Sequence, residues 1–390
     1  MRRSALCSFL ALGLSLLNGL VQASLPPGVG SIPPSVRSNE VPYCRDIFSV
    51  GGQYQFDATL NGSLLVNQIY VEKLVPVNGS REPYPLVFFH GATPTGTLNT
   101  PDNRRGFASL FIDQGYEVYL LDQSSVGRAS SMDFTGFPEG TQVTAEMAES
   151  GFTAPRYFGF YPQAVLHTQW PGTGLKGDPT FDKFLGTILP LSLNLTRQQR
   201  SMQNSGCALL EKIGKSFLMA HSTGGTYATL IADACPDKVV GYVGLEPDNS
   251  PFRSYSVNVT RPVRIWGLAD IPLTYDPPVT DPTSQLAKAV VGDETWANRS
   301  CILQASNSTR SLPNIAQSPI LVLTGEASIH ITYDHCIVAF LRQAGVSVDW
   351  IELSQIGIHG NGHLGFMELN NQIIFQVALT WIRDHTPMGQ

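Results

Sequence analysis

Short, continuously apolar segments alternate with segments of helical periodicity along most of the chain. Three of them, PLVFFHG (85–91), KSFLMAHS (215–222) and KVVGYVGLEP (238–247), end at glycine, serine or proline, a pattern typical of strands buried on both faces. Helical spacing follows the first two, over about 102–114 and 223–235. Because parallel strands need crossover helices, this alternation predicts an α/β fold with a mostly parallel central sheet flanked by helices.

The alternation extends toward both ends of the chain. IFSVGGQYQFD and LLVNQIYVEKLVP carry polar residues at alternate positions, which predicts early strands at the edge of the sheet. Further strands are predicted at 116–123, 319–325 and 348–354, and further helices at 331–344 and 365–385.

Two long segments, about 124–214 and 247–318, do not fit the alternation. Both leave the C-terminal side of the sheet, which is the edge where α/β proteins bind ligands. We therefore predict that they form a cap over a pocket, with loops facing away from the site as the alternative. The domain that carries them is predicted to span 47–390, after an irregular lead-in over 24–46.

The first residues have the composition of an export signal. MRRSALCSFLALGLSLLNGLVQASLPP begins with arginines, continues with an apolar run and reaches a small-x-small cleavage pattern that ends at Ala23. Asn18 and Gly19 near the end of the run favour cleavage over an uncleaved membrane anchor. We predict a secreted, extracellular protein that loses a signal peptide of residues 1–23. The C-terminal TWIRDHTPMGQ lacks the apolar tail of a lipid-anchor signal.

Six sequons support export and predict a glycoprotein. Their acceptor residues are Asn61, Asn78, Asn194, Asn258, Asn298 and Asn307.

The cysteines agree with an oxidising compartment. Removal of the signal peptide leaves Cys44, Cys207, Cys235, Cys301 and Cys336, so we predict two disulfides and one free thiol. Our pairing hypotheses are Cys301 with Cys336, and Cys44 with a cysteine of the body. No CxxC pair is present, which argues against zinc and thioredoxin-like chemistry.

Charge excludes several classes of partner. Only 14% of residues are charged, the net charge is −6 and the body contains no basic run, which argues against nucleic acids and anionic membrane surfaces. A hydrophobic content of 43% argues against extended disorder. The partner class that remains is a small molecule.

The stretch LMAHSTGGTYA nearly matches the G-x-S-x-G turn that presents a nucleophilic serine. Ser222 lies where a buried strand ends and a helix begins, between Ala220 and Gly224, and such a corner needs small neighbours. The alternative is a structural serine in an ordinary strand-to-helix turn. His221 is predicted to pack or to line a pocket, because adjacent side chains on this turn point in different directions.

A serine nucleophile needs a base, and a late loop offers two histidines. IGIHGNGHLGF contains His359 and His363. We favour His363 because it follows Gly-Asn-Gly and precedes the last helix, so it can project over the sheet edge. His359 remains the alternative.

The base needs an acid, for which three carboxylates compete. Glu246 ends the strand directly after the nucleophile helix, where Pro247 stops the strand, so it should lie on the strand end next to Ser222. Glu326 and Asp334, after the following buried strand, are the alternatives. We prefer Glu246.

The developing oxyanion needs two backbone N–H donors. We predict those of Thr223, which follows the nucleophile, and of Ala92, in the loop after FFHG. His90 is predicted to shape that loop. His330, His335, His359 and His363 could be imagined as metal ligands, but no HExxH spacing supports a metal site, and no GxGxxG predicts a nucleotide cofactor.

The chain resembles the α/β-hydrolase superfamily, and within it secreted bacterial and fungal esterases whose glutamate follows the sixth strand. The matching stretches span about 47–385 and include FFHGATPTGTLNTPDNRRGFASLF, QWPGTGLKGDPTFDKF, AHSTGG, GLEPDNSPF and GNGHLGFMELNN. The resemblance implies Ser222 as nucleophile, Glu246 as acid and His363 as base, with QWPGTGLKGDP in the cap. Ala92-Thr93 after His-Gly departs from many relatives.

We predict a secreted serine esterase that cleaves a carboxylic ester through an acyl-enzyme without a cofactor. The aromatic segment RYFGFYPQAVLHTQW indicates a medium-sized apolar or aromatic acyl group. Two alternatives are a tailoring enzyme that performs isomerisation, elimination or acyl transfer on a natural product, and a catalytically silent binding protein.

Overall fold

A central sheet organises the computed structural model, which describes residues 39–92, 98–129, 140–141, 143–192, 194–247, 250–255 and 260–387. The predicted signal peptide and Asn258 lie outside the described residues. The strands are β1 (Tyr43–Asp57), β2 (Gly62–Pro76), β3 (Leu86–Phe89), β4 (Val118–Asp122), β5 (Gly140–Thr141), β6 (Leu191–Ser192), β7 (Ser216–Ser222), β8 (Val239–Pro247), β9 (Arg253–Tyr255), β10 (Thr260–Pro262), β11 (Lys288–Val291), β12 (Cys301–Gln304), β13 (Ile320–Thr324) and β14 (Val348–Glu352).

Eight strands form the main sheet, in the order β1-β2-β4-β3-β7-β8-β13-β14. The pairs from β4 through β14 are parallel, whereas β1 and β2 form an antiparallel hairpin that pairs with β4. The mostly parallel sheet predicted from the alternation is therefore confirmed. All strands from β3 to β13 in this order bring their carboxyl ends to one edge, where a site can form.

Helices cover both faces of the sheet. They are α1 (Phe107–Gln114), α2 (Ala145–Ala148), α3 (Pro179–Leu185), α4 (Leu195–Ile213), α5 (Gly224–Ala234), α6 (Pro282–Gln285), α7 (Asp334–Gln343) and α8 (Asn371–Asp384). Buried side chains of α4, α5 and α7 pack with Leu218 and Ala220 of β7, and those of α1 and α8 pack with Phe217 and Met219. Alternate residues of one strand thus supply both cores, as the two-residue period of a strand requires.

The helix predicted from 102 begins only at Phe107. The preceding segment closes as a turn, with the N–H of Thr100 donating to the carbonyl of Arg104 at 2.9 Å. Gly115 ends the helix at φ 97°, a conformation that glycine adopts without strain.

The predicted insertion 124–214 contains several short helical segments and one long core helix. The short segments include a π-helical turn at Glu149–Thr153, 3-10 turns at Pro155–Tyr157 and Pro162–Leu166, and α3. Its last part, α4, instead packs against the β1–β2 hairpin and α5. The buried face of α4 includes polar or small residues, namely Gln198, Gln199, Ser201, Ser205 and Gly206. The apolar periodicity that identifies a core helix is therefore weak in its sequence.

The disulfides are Cys207–Cys235, with Cα atoms 5.9 Å apart, and Cys301–Cys336, at 5.1 Å. The predicted number of disulfides and the Cys301–Cys336 pair are confirmed, but the hypothesis of a bond to Cys44 is wrong. Cys44 is an exposed free thiol on the edge strand β1. Cys207 and Cys235 meet instead because Cys207 lies on α4 and Cys235 directly follows the neighbouring helix α5.

The surface of the described residues is consistent with the sequons. Asn61, Asn78, Asn194, Asn298 and Asn307 are all exposed, so each is sterically open to a glycan, and glycosylation stays a prediction. None of the helices in the described ranges has the length and apolarity needed to cross a membrane.

Candidate active site

Ser222 ends β7 in a strained corner. Its φ is 53°, a left-handed conformation that is uncommon for a residue with a side chain. The corner is close-packed, because a Cβ atom on Gly91 would lie 2.7 Å from Cβ of Ser222, and one on Gly224 would lie 2.1 Å from the carbonyl oxygen of Phe89. Glycine is therefore required at both positions if the serine is to stand at the sheet edge. This is the geometry of a serine presented for attack.

Glu246 lies on the neighbouring strand end. Ser222 pairs in register with Pro247 of β8, so Glu246 occupies the level of the corner. Its φ is 50°, which makes it a second strained residue at the same edge, and its side chain is buried. Strain of this kind persists only where surrounding contacts hold it.

His363 contacts that carboxylate. Its Nδ1 lies 2.6 Å from Oε2 of Glu246, and both side chains are about 5% exposed. Because the carboxylate accepts, Nδ1 carries the proton, and Nε2 of the neutral ring keeps the lone pair that can take a proton. The arrangement can therefore act as a base oriented by an acid.

The loop of His363 is held against β7, the strand that ends at Ser222. Nε2 of His221 donates to the carbonyl oxygen of His363 at 2.9 Å, and the two ring centroids are 4.4 Å apart. His221 therefore supports the loop through its ring, which matches its predicted packing role. The structure brings the predicted Ser222, Glu246 and His363 to one edge of the sheet.

Burial sets the protonation of this site. Burial lowers the pKa of His363 well below its usual range and does the same to His221. Burial also raises the pKa of Glu246 to about 7, and the charge of His330 and hydrogen bonds from Ser328 and Gly325 oppose that rise. A neutral imidazole is the state that a general base needs, and the hydrogen bonds offset part of the cost of burying the charge of Glu246.

The loop after β13 supplies the donors to Glu246. The N–H of Gly325 donates to Oε1 at 2.7 Å, and the hydroxyl of Ser328 donates to Oε2 at 2.6 Å. The sequence reasoning missed Ser328, since a serine in a short loop carries no signal of what it contacts. Each such hydrogen bond stabilises the ionised carboxylate.

The alternative acids and base lie elsewhere. Glu326 accepts from Nδ1 of His359 at 3.1 Å, and the side chain of His359 is 63% exposed. Asp334 is buried and pairs with His330 at 2.9 Å. Nδ1 of His363 bonds instead to Glu246.

The two predicted oxyanion donors flank the corner. Thr223 is the N-cap residue of α5, at the end of the helix where the dipole is positive. Ala92 follows Gly91, which contacts Ser222. Gln123, which the sequence reasoning missed, fixes this loop by donating to the carbonyls of His90 and Gly91 at 2.8 and 3.0 Å.

The ring of His90 stays inside that loop. Its Nδ1 donates to the carbonyl of Gly91 at 2.7 Å, and burial lowers its pKa. This placement matches the predicted shaping role of His90.

Residues of the predicted cap contact His363 and its loop. The ring of Phe152, in the π-helical turn, stacks on that of His363 with centroids 5.4 Å apart. His167 bonds to Glu368 at 2.7 Å, and Glu368 accepts from the N–H of Gly362 at 3.0 Å. The segment QWPGTGLKGDP follows His167, and the N–H of Gln169 donates to Gly360 at 3.2 Å. These hydrogen bonds hold the predicted cap segment around His167 against the loop that carries His363.

The four histidines considered as metal ligands do not gather at one point. His335 bonds to the carbonyl of Arg299, and His359 lies at the surface beside Glu326. Glu246, His330 and His363 do place donor atoms within 4.8 Å of one another. Both histidines use Nδ1 to hold a carboxylate, so this set fits an acid–base network.

Comparison with known proteins places the chain among lipases and esterases. It is 40% identical over 338 residues to the "Probable secreted lipase phiG" of a fungal species (strain ATCC 74256), covering 86% of this chain and 88% of the relative. A solved structure described as a novel bacterial esterase matches with a TM-score of 0.57 and 20% identity, over 91% of this chain and all of that chain. That likeness concerns the fold. No family model matches.

Proposed function

The chain belongs to the α/β-hydrolase family of the secreted lipase phiG, and from this premise we propose that it is a secreted serine hydrolase of carboxylic esters. The observation that carries the proposal is the 2.6 Å hydrogen bond from His363 to Glu246 beside the strained corner of Ser222. A nucleophile, a base and an acid at one sheet edge are the parts that acyl transfer needs.

In the proposed reaction, Oγ of Ser222 attacks the ester carbonyl carbon while Nε2 of His363 takes the hydroxyl proton. The tetrahedral oxyanion accepts hydrogen bonds from the N–H groups of Thr223 and Ala92. The carbon–oxygen bond to the alcohol then breaks, and His363 returns the proton to the leaving oxygen. A water molecule repeats the sequence on the acyl-enzyme, which releases the acid and restores Ser222.

Glu246 holds the imidazole in the tautomer that this reaction requires. With Nδ1–H donated to Glu246, Nε2 faces the reaction as an acceptor, and the carboxylate stabilises the imidazolium that forms in the transition state. Gly325 and Ser328 stabilise the ionised form of Glu246.

The cap supports an apolar or aromatic acyl group of medium size. Phe152 lies against the base, and Tyr161, Phe158 and Phe160 follow it in the same segment. The hydroxyl of the buried Tyr161 donates to the carbonyl of Ala327 at 2.9 Å, which holds this segment beside Glu246. Secretion, with removal of residues 1–23, is part of the proposal, and the name of the lipase relative supports it.

The test is hydrolysis of p-nitrophenyl esters, from acetate to dodecanoate, by the secreted protein and Ser222→Ala. Ser318→Ala is the control, because it removes a serine hydroxyl that donates to the carbonyl of Val239 at 2.8 Å at the opposite end of the sheet. We expect hydrolysis by wild type and the control and none by Ser222→Ala, with an optimum at intermediate chain length. If the wild type hydrolyses none of these esters but its Ser222 still reacts with a fluorophosphonate, a non-hydrolytic reaction would replace ester hydrolysis as the proposed function.

A further inference from the structure

A second histidine–carboxylate pair lies beside the proposed catalytic triad. Nδ1 of His330, in the 3-10 helix Ile329–Thr332, lies 2.9 Å from Oδ1 of Asp334, in the first turn of α7. His330 is 4% exposed and Asp334 is fully buried. The mechanism proposed above uses neither residue, yet two buried titratable groups in contact need a physical explanation.

The hydrogen bonds of Asp334 indicate its charge. Its Oδ2 accepts from the hydroxyl of Thr324 at 2.8 Å, and that hydroxyl accepts from Nε1 of Trp350 at 3.0 Å. Because indole N–H only donates, the hydroxyl hydrogen of Thr324 is free to point at Asp334. Both carboxylate oxygens therefore receive donors, as an ionised carboxylate prefers.

An ionised carboxylate in this position needs a cation. Burial raises the pKa of Asp334, and the charge and hydrogen bond of His330 oppose that rise. The adjoining donor is Nδ1 of His330, so the protonated ring completes a neutral ion pair, which is the usual state of a buried charge.

The positive end of the pair faces the triad. The ring of His330 is nearly parallel to that of His363, with centroids 4.7 Å apart and an angle of 12° between the planes, whereas Asp334 points toward Thr324. The N–H of His330 also donates at 3.2 Å to the hydroxyl of Ser328, which donates to Glu246. The pair is thus joined to both members of the His363–Glu246 dyad.

We propose that His330 and Asp334 form a positioning ion pair that keeps Glu246 ionised and His363 unprotonated in the resting enzyme. The inference rests on the proposed function, since it assigns a task within the same site. A positive charge stabilises a neighbouring carboxylate and disfavours protonation of a neighbouring imidazole. Both electrostatic effects favour an ionised Glu246 and a neutral His363, and both are strong where water is excluded.

Several other titratable groups surround the pair. Tyr333 packs its ring on His330 with centroids 4.7 Å apart, and His221 lies behind His363. From the cap comes Tyr161, whose pKa burial raises, so it is neutral.

Arg299 is a further charged residue near the pair, and its backbone is bonded to the 3-10 helix that carries His330. The N–H of Arg299 donates to Thr332 at 2.8 Å, and its guanidinium pairs with Glu294 at 3.1 Å. Neither this pair nor the neutral rings supplies the cation that Glu246 needs.

Loss of the positive charge on His330 should move the pH dependence of catalysis in one direction. Removal of the cation raises the pKa of both Glu246 and His363, so each loses its working protonation state at a higher pH. The acid limb of the kcat/KM profile should therefore move to higher pH in His330→Phe, which keeps a flat ring, and in Asp334→Asn, which leaves His330 without an anion. A shift of about one pH unit lowers kcat/KM about tenfold near neutral pH, with recovery at alkaline pH.

The matched control for these variants is Asp233→Asn. Asp233 is also buried and accepts from the N–H of Thr274 at 3.1 Å, on the far side of α5 from the triad. Asp233 lies near the C-terminal end of α5, whereas Ser222 precedes its N-terminal end, so we expect no shift of the acid limb in this variant. Pure loss of packing in His330→Phe or Asp334→Asn would lower activity equally at every pH, and that result would overturn the proposal.

A second measurement is independent of ester hydrolysis. Histidine-selective ¹⁵N NMR of the wild-type chain, with His330→Gln to assign the signal, reports directly on the protonation of His330. We expect an imidazolium at neutral pH in wild type and a neutral ring in Asp334→Asn. A neutral His330 in wild type would refute the ion pair whether or not esters are hydrolysed, whereas failure of hydrolysis with a protonated His330 would refute only the proposed function.

Discussion

The carboxyl ends of β8 and β13 each carry a glutamate that contacts a histidine, but the two places differ in burial. At the end of β8, Glu246 and His363 are about 5% exposed and 2.6 Å apart. After β13, Glu326 is 21% exposed, and the side chain of His359 beside it is 63% exposed. Similar residue types and similar contacts thus occur in two different environments.

The difference shows what makes an acid–base pair chemically useful. Water screens the interaction between the two groups of the exposed pair. Around Glu246, excluded water raises the pKa of the carboxyl, and donors from the neighbouring strand end hold its charge in place. Burial combined with specific donors therefore distinguishes the candidate catalytic pair from the surface pair.

The largest expected effect concerns the acid itself. Glu246→Gln should lower kcat/KM by about 10⁴-fold, because the amide cannot hold the required tautomer or stabilise the imidazolium. Glu326→Gln, the matched change at the end of β13, should change kcat/KM by less than about threefold. Steady-state kinetics on one p-nitrophenyl ester measures both. Loss of activity in the second variant alone would transfer the role of the acid to Glu326.

The pH dependence should follow the buried pair. Burial raises the pKa of Glu246 to about 7, so protons bind this carboxylate as pH falls through that value and the imidazolium loses its partner. We expect kcat/KM to decrease about tenfold per pH unit on the acid side and Glu326→Gln to leave the profile unchanged. A profile that stays flat down to the ordinary range of glutamate would contradict this account.

A smaller effect is expected when one donor to Glu246 is removed. Ser328→Ala deletes the 2.6 Å hydrogen bond to Oε2, which should reduce kcat/KM about tenfold at neutral pH, as loss of a hydrogen bond to a charged group does. Because the ionised form loses a donor, the acid limb should move to higher pH. The measurement is the pH profile of kcat/KM for this variant, with Ser318→Ala as control. An acid limb at the same pH as in wild type would show that Ser328 is dispensable.

The smallest effect belongs to the exposed pair. A double-mutant cycle of His359→Ala and Glu326→Gln should give a coupling free energy below about 1 kcal/mol, since solvent screens the pair. Denaturant unfolding of the four proteins supplies the four free energies of unfolding. A larger coupling free energy would mean that the exposed Glu326–His359 pair resembles the buried Glu246–His363 pair more than its exposure indicates.

The order of apolar segments along the chain determined much of this protein. Strands buried on both faces have a recognisable composition, and their alternation with helices predicts a parallel sheet whose carboxyl ends share one edge. Ser222, Glu246 and His363 could be named as candidate site residues for that reason, because each lies at the end of a strand or in a late loop at that edge. Which carboxylate contacts His363 stayed open in the sequence and depends on the packing.

Only the tertiary structure decided the surroundings of those residues. Ser328, Gln123 and the His330–Asp334 pair contact the site from other segments of the chain, with Ser328 82 residues from Glu246, and no local pattern records such contacts. α4 escaped prediction because its buried face is largely polar and small, and Cys44 was wrongly paired because helix packing, not spacing, joins Cys207 to Cys235. Local sequence sets periodicity and turn geometry, whereas contacts between distant segments arise only when whole layers pack together.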